Sequence, residues 1–131
     1  MRFFAAVVVA AAAALTLTAC SPPVEPGTVL MTEGNGFSPS EVTVKAGENL
    51  EFRNDSGAAH SVTAYDDGEP EGAEYFSSGG FKDEVAAREN VGASLVKPDD
   101  SFEITLDKPG TYRYFCIPHE SEGMKGTITV E

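Results

Sequence analysis

Side chains that bind soft metals are scarce in these 131 residues: two cysteines, Cys20 and Cys116, two histidines, His60 and His119, and three methionines. Two cysteines cannot build a disulfide framework, and a site that used both histidines would leave none for a second metal centre. Basic residues are few as well, nine Lys and Arg against 21 Asp and Glu, for a formal net charge of −12. Arg2 is the only charged residue before Glu25, so the rest of the chain is one unit more negative still. An acidic surface of this kind argues against nucleic acid or an anionic membrane surface as a partner. It suits a basic docking partner or a high-salt habitat. There is no internal repeat, and the one long apolar run, Phe3 to Thr18, is short for a retained membrane span.

That run follows Met1-Arg2 and ends in small residues, so residues 1–19 read as a secretory signal peptide. The closing Leu17-Thr18-Ala19-Cys20 resembles the bacterial and archaeal lipobox, which implies lipidation of Cys20 as the first residue of the mature protein. No twin-arginine pair precedes the run; ordinary cleavage, with Cys20 incidental, is the alternative. Residues 20–27 then form a tether stiffened by Pro22, Pro23 and Pro26, and residues 28–131 have room for one domain. With Cys20 lipidated, Cys116 is a lone thiol in an exported protein, where a thiol survives if it is protected or in use. A Cys20–Cys116 disulfide would instead tie a tail to the middle of the domain.

From Thr28 the chain is written in short alternating runs separated by turn residues. Strands are expected at 28–32, 41–45, 48–54, 60–65, 101–106, 111–116 and 125–131, with Val42, Val44, Leu50, Phe52, Val62, Phe102, Ile104 and Leu106 facing inward. Residues 66–97 break the pattern with an acidic loop (Asp66, Asp67, Glu69, Glu71 and Glu74). The stretch 82–90 follows, where alanine and long charged residues predict one or two turns of helix. Seven short strands with frequent turns predict an all-β fold, a Greek-key antiparallel β-sandwich with a short helix in one long connection.

The chemistry is concentrated in Phe115-Cys116-Ile117-Pro118-His119 and the loop that runs on to Met124. A thiolate, an imidazole and a thioether fall within nine positions. Soft sulfur donors with imidazole suit copper, and two His with one Cys and a distant axial Met form the blue-copper electron-transfer arrangement. His60 is the one histidine left to complete the set, and loops clustered at one pole of a sandwich could bring it to Cys116. A buried inert thiol, loop histidines satisfied by neighbouring groups and a core methionine are the plain alternatives for these four residues.

The pattern His60 … Cys116-x-x-His119-x-x-x-x-Met124, preceded by Pro109-Gly110-Thr111-Tyr112 and followed by Lys125-Gly126-Thr127, resembles the plastocyanin branch of the cupredoxins. With the leading lipobox it is especially similar to halocyanin-type, membrane-anchored copper proteins. The resemblance spans 28–131 and implies one type 1 copper held by His60, Cys116, His119 and Met124. It implies a one-electron carrier and not an enzyme, lipid-anchored on the extracytoplasmic face of the membrane. The carrier would be a monomer that exchanges electrons with a cytochrome or an oxidase-type donor or acceptor. A copper chaperone or buffer using the same ligands is the alternative. An electron port is implied at His119, ringed by Pro118, Ile117, Ala58, Ala59 and Phe37, with the loop 66–74 steering a basic partner. The chain departs from the family pattern on either side of His60 and just before Cys116. Ala59 and Ser61 flank His60 where Pro and Asn are common, and Phe115 stands where a Tyr often marks a second electron route; Tyr114 and Tyr112 lie nearby.

Overall fold

The computed structural model describes residues 25–131. The signal segment, the lipid attachment expected at Cys20 and the tether as far as Val24 lie outside the described residues. Among the described residues, eight strands form two four-stranded sheets. In the first, β2 (Phe37–Ser38), β1 (Thr28–Met31), β4 (Asn49–Asn54) and β6 (Ser101–Thr105) lie side by side in that order. In the second the order is β3 (Glu41–Val44), β8 (Lys125–Val130), β7 (Gly110–Phe115) and β5 (Thr63–Ala64).

Most of the expected strands are present with ends shifted by a residue; the differences are informative. Two pairings are parallel, β1 with β4 and β3 with β8, so the sheets are mixed and not purely antiparallel. The chain leaves the first sheet after β2, adds β3 to the second and returns as β4, and such a crossing brings the returning strand back in the same direction. Alternation along a strand reports which face is buried, not which way its neighbour runs. The strand expected at 60–65 contracts to β5, with His60 making a lone bridge to Val96. Residues 61 to 64 are all buried, so this segment is closed on both faces. Phe37–Ser38, expected in a break, pairs with β1 as a short edge strand.

The long connection carries two short helices where one is expected, α1 (Glu84–Glu89) and α2 (Val91–Ser94). Asp83 caps the first, its carboxylate accepting from the Ala86 amide at 2.7 Å. Asp66 docks the same end: its carboxylate accepts from the Glu84 amide at 2.9 Å, and its own amide donates back to the Glu84 carboxylate at 3.0 Å.

The core lies between the sheets and includes Val29, Met31, Leu50, Phe52, Val62, Tyr112, Tyr114 and Ile128, all essentially without exposure. The Tyr114 ring stands edge-on to Phe37 at 4.7 Å and to Phe52 at 5.2 Å. Tyr114 pairs across the sheet with Gly126, and a Cβ at Gly126 would sit 2.3 Å from the Tyr114 ring, so glycine is what lets the ring lie down over β8. Phe115, one residue on, points out of the opposite face of β7. It is nevertheless fully buried, because Tyr65 stacks on it at 4.3 Å and Arg88 of α1 lies 4.2 Å over its ring. No helix among the described residues is long and apolar enough to cross a membrane.

Candidate metal centre

Strand β7 delivers Cys116 to one pole of the sandwich, and the following loop folds back on itself by backbone bonds alone. The His119 amide donates to the Cys116 carbonyl (3.2 Å), the Met124 amide to the His119 carbonyl (3.2 Å) and the Cys116 amide to the Met124 carbonyl (3.0 Å). Glu120–Glu122 form a single 3-10 turn that ends at Gly123 in the left-handed region, φ 85°, a conformation that favours glycine. Cys116, His119 and Met124 are thus the corners of one closed loop.

His60 reaches the same pole from the other side. Its backbone is clamped to Val96 in both directions, at 3.1 and 2.7 Å. Ser61 stitches it to the loop: the Ser61 amide donates to Cys116 Sγ at 3.3 Å, and the Ile117 amide donates to Ser61 Oγ at 2.7 Å. Ser61 therefore makes the cross-pole contact at the position where the family pattern commonly has Asn.

The donor atoms converge. His60 Nδ1 and His119 Nδ1 are 3.1 Å apart, and Cys116 Sγ lies 3.8 Å from the first and 3.4 Å from the second. His60 and Cys116 are fully buried and His119 is half-buried. The three form a cluster of metal-donor side chains with all donor atoms within 4.8 Å of one another. Metal bonds to imidazole and thiolate are about 2.0–2.3 Å, so donors spaced in this way can be bridged by a single ion. Met124 is fully buried in the same apolar cluster as Cys116.

The far side of the His60 ring is equally determined. Its Nε2 lies 2.8 Å from Ser56 Oγ, which lies 2.8 Å from Asn54 Oδ1. Asn54 is itself fully buried, and its amide nitrogen donates to the carbonyls of Ala58 (2.8 Å) and Val96 (3.0 Å). Asn54 Oδ1 can only accept, so the serine hydroxyl donates to it, and Nε2 in turn donates to the serine. That sequence places the ring proton on Nε2 and leaves the Nδ1 lone pair facing Cys116 and His119. Sequence reasoning passed over Asn54 and Ser56. The available signal was an Asn-x-Ser that begins at the last residue of an alternating strand and ends four residues before the histidine. Ser56→Ala should weaken copper binding by about tenfold with little change in overall fold, checked by competition with a chelator of known affinity; unchanged binding would show the serine to be idle.

Electrostatics favour neutral donors in the metal-free protein. Burial pushes the Cys116 thiol up from its ordinary value, only partly offset by hydrogen bonds to the sulfur, chiefly from Ser61. Burial, followed by the proximity of His119, pushes His60 down. A proton must therefore leave Cys116 when a metal enters, while His60 has none to lose from Nδ1.

The residues expected around His119 differ in exposure. Ile117, Ala58 and Ala59 are half-buried and Pro118 is exposed, but Phe37 is a core residue packed on Tyr114 and Phe52. Tyr112 and Tyr114 also face the core, and the tyrosine in contact with Phe115 is Tyr65.

A two-sheet sandwich with two imidazoles and a lone thiol gathered at one pole, and a methionine closing the loop, defines a blue-copper type of protein. Residues 28–131 match the model of the copper binding proteins of the plastocyanin/azurin family, and the chain belongs to that family. It is 40% identical over 95 residues to plastocyanin of Scenedesmus fuscus, covering 72% of this chain and 86% of that protein. The oxidised form of plastocyanin from the fern Dryopteris crassirhizoma has a similar structure, with a TM-score of 0.56 and 32% identity over 79% of this chain and 99% of the other. A copper-containing nitrite reductase from Thermus scotoductus is similar at the level of one domain, with a TM-score of 0.60 and 25% identity over 89% of this chain but 25% of the reductase.

Proposed function

We propose that the protein is a one-electron carrier that works outside the cytoplasm, with copper held by His60, Cys116 and His119 and Met124 as the fourth ligand. The convergence of two Nδ1 atoms and one Sγ at 3.1–3.8 Å is the observation that carries this reading. Copper, when bound, supplies a one-electron couple. The chain's part is to keep the donors still, so that little has to reorganise when the charge changes. Each donor residue is fixed by bonds independent of the metal: His60 by Val96 and Ser56, Cys116 by Met124 and Ser61, and His119 by the turn that follows it. The half-buried His119 is the way in and out for the electron, and the buried thiol is kept from oxidants. Membrane attachment through Cys20 and a monomeric state belong to the same proposal. Both histidines of the chain are taken up by this site, which leaves no histidine for a catalytic copper.

Voltammetry of the copper-loaded protein tests the reading against copper storage. A reversible one-electron wave supports a carrier; a colourless protein that holds only Cu(I) would establish a chaperone or buffer instead.

The acidic loop proposed to steer a basic partner is narrower than its composition suggests. Asp66 is committed to the start of α1 and the exposed Asp67 pairs with Arg113 at 3.1 Å, whereas Glu71 and Glu74 are exposed and in no ion pair among the described residues. Replacing Glu71 and Glu74 together by glutamine should slow electron exchange with a basic cytochrome several-fold at low ionic strength and leave it unchanged at high salt. Equal rates at low salt would exclude steering by this loop.

A further inference from the structure

The connection at 66–97 places one cation against the metal loop, and the contacts are specific. Arg88 donates through Nη1 to Glu120 Oε2 at 2.6 Å and through Nη2 to Glu120 Oε1 at 3.2 Å, a two-pronged pair. On its other edge, Nε and Nη2 hold Glu84 Oε1 at 2.9 and 2.6 Å, one helical turn back. The guanidinium plane therefore has a carboxylate on each side, and its carbon lies 4.2 Å over the Phe115 ring. Tyr65 joins the same group: it stacks on Phe115 and donates its hydroxyl to Glu120 Oε1 at 2.9 Å.

Glu120 follows His119 and opens the 3-10 turn; Phe115 precedes Cys116. Arg88 thus grips the residue next to each of two donors from outside the loop. The ion pairs are partly shielded, with side-chain exposures of 36% for Arg88, 20% for Glu84 and 27% for Glu120. A planar fork is suited to holding two carboxylates and lying on an aromatic ring at once; a lysine can supply the charge but not the plane.

We propose that Arg88 is a positioning residue for the copper loop: by pinning Glu120 and capping Phe115, it holds His119 against Cys116 and slows the opening through which the metal leaves. The inference rests on the copper reading above and extends it to a helix outside the ligand loop. It also gives α1 a purpose: the helix closes over the outer face of β7 at the point where that strand becomes the metal loop.

The test compares the wild-type protein with Arg88→Ala, Arg88→Lys and Glu120→Gln, each loaded with copper at a temperature well below its unfolding transition. Transfer of copper to a chelator in excess should be about tenfold faster in Arg88→Ala. Arg88→Lys should recover part of the difference, and Glu120→Gln should fall between wild type and Arg88→Ala. The visible spectrum and the reduction potential of Arg88→Ala should both shift, because the His119–Cys116 geometry relaxes. A variant that unfolds at lower temperature but keeps the wild-type spectrum, potential and release rate would overturn the proposal, since Arg88 would then serve the fold alone. If the wild-type protein itself fails to form a coloured copper complex, the copper reading has failed. If the wild type is coloured and Arg88→Ala matches it, only the present inference has failed.

Discussion

Replacing Cys116 by serine should abolish the intense visible colour of the copper-loaded protein while leaving the sandwich folded. The side chain is fully buried, and a serine hydroxyl fits the space with the Ser61 amide still available as a hydrogen-bond donor. What is lost is the soft, polarisable thiolate, on which the colour and the preference for Cu(I) both depend. A hydroxyl at this position does not give up its proton to the metal in the way the thiol does, so copper binding should also weaken by orders of magnitude. Circular dichroism would confirm the fold, and absorption after copper loading gives the result. Colour retained by Cys116→Ser would mean that the ligand assignment is wrong.

The second large effect concerns the strand that leaves the metal loop. Gly126→Ala should destabilise the protein by about 3 kcal/mol, near the upper end for overpacking a core. The added methyl would lie 2.3 Å from both the Cζ and the Oη of Tyr114, and that ring is held edge-on by Phe37 and Phe52. Tyr114→Phe alone should do the opposite. Its hydroxyl is buried without a hydrogen-bond partner among the described residues, so removing it should be neutral or stabilising by about 1 kcal/mol. Combining the two changes should recover only part of the loss, because the Cζ and Cε1 contacts, at 2.3 and 2.8 Å, outlast the hydroxyl. Denaturant unfolding of the four proteins gives these values. A freely tolerated Gly126→Ala would mean that the Tyr114 ring is not confined as described.

These two positions also illustrate what can be read from sequence. Cys116, His119 and Met124 are legible because the loop that joins them is short and closes on itself. His60 is legible because no other histidine exists. The sandwich is legible from period-two alternation in strands such as Leu50–Phe52 and Tyr112–Tyr114. Parallel pairing of β1 with β4 is not, because it depends on where the chain goes between them. Asn54 and Ser56 carry no periodic signal, and their role appears only when Val96 and the His60 ring are brought beside them. Arg88 looks like an ordinary surface charge on a short helix until Glu120, 32 residues away, is placed against it. Tyr65 likewise becomes relevant only through its stacking on Phe115. Local patterns thus reveal ligands in one loop; the residues that hold those ligands come from distant segments and require the fold.

Titration of the metal-free protein with Cu(II), followed by visible absorption, tests the central claim most directly. A single His60–Cys116–His119 centre should give an intense blue band that grows linearly and stops at about one copper per chain. A folded protein that stays colourless after one equivalent, or that develops its colour without using Cys116, would contradict it.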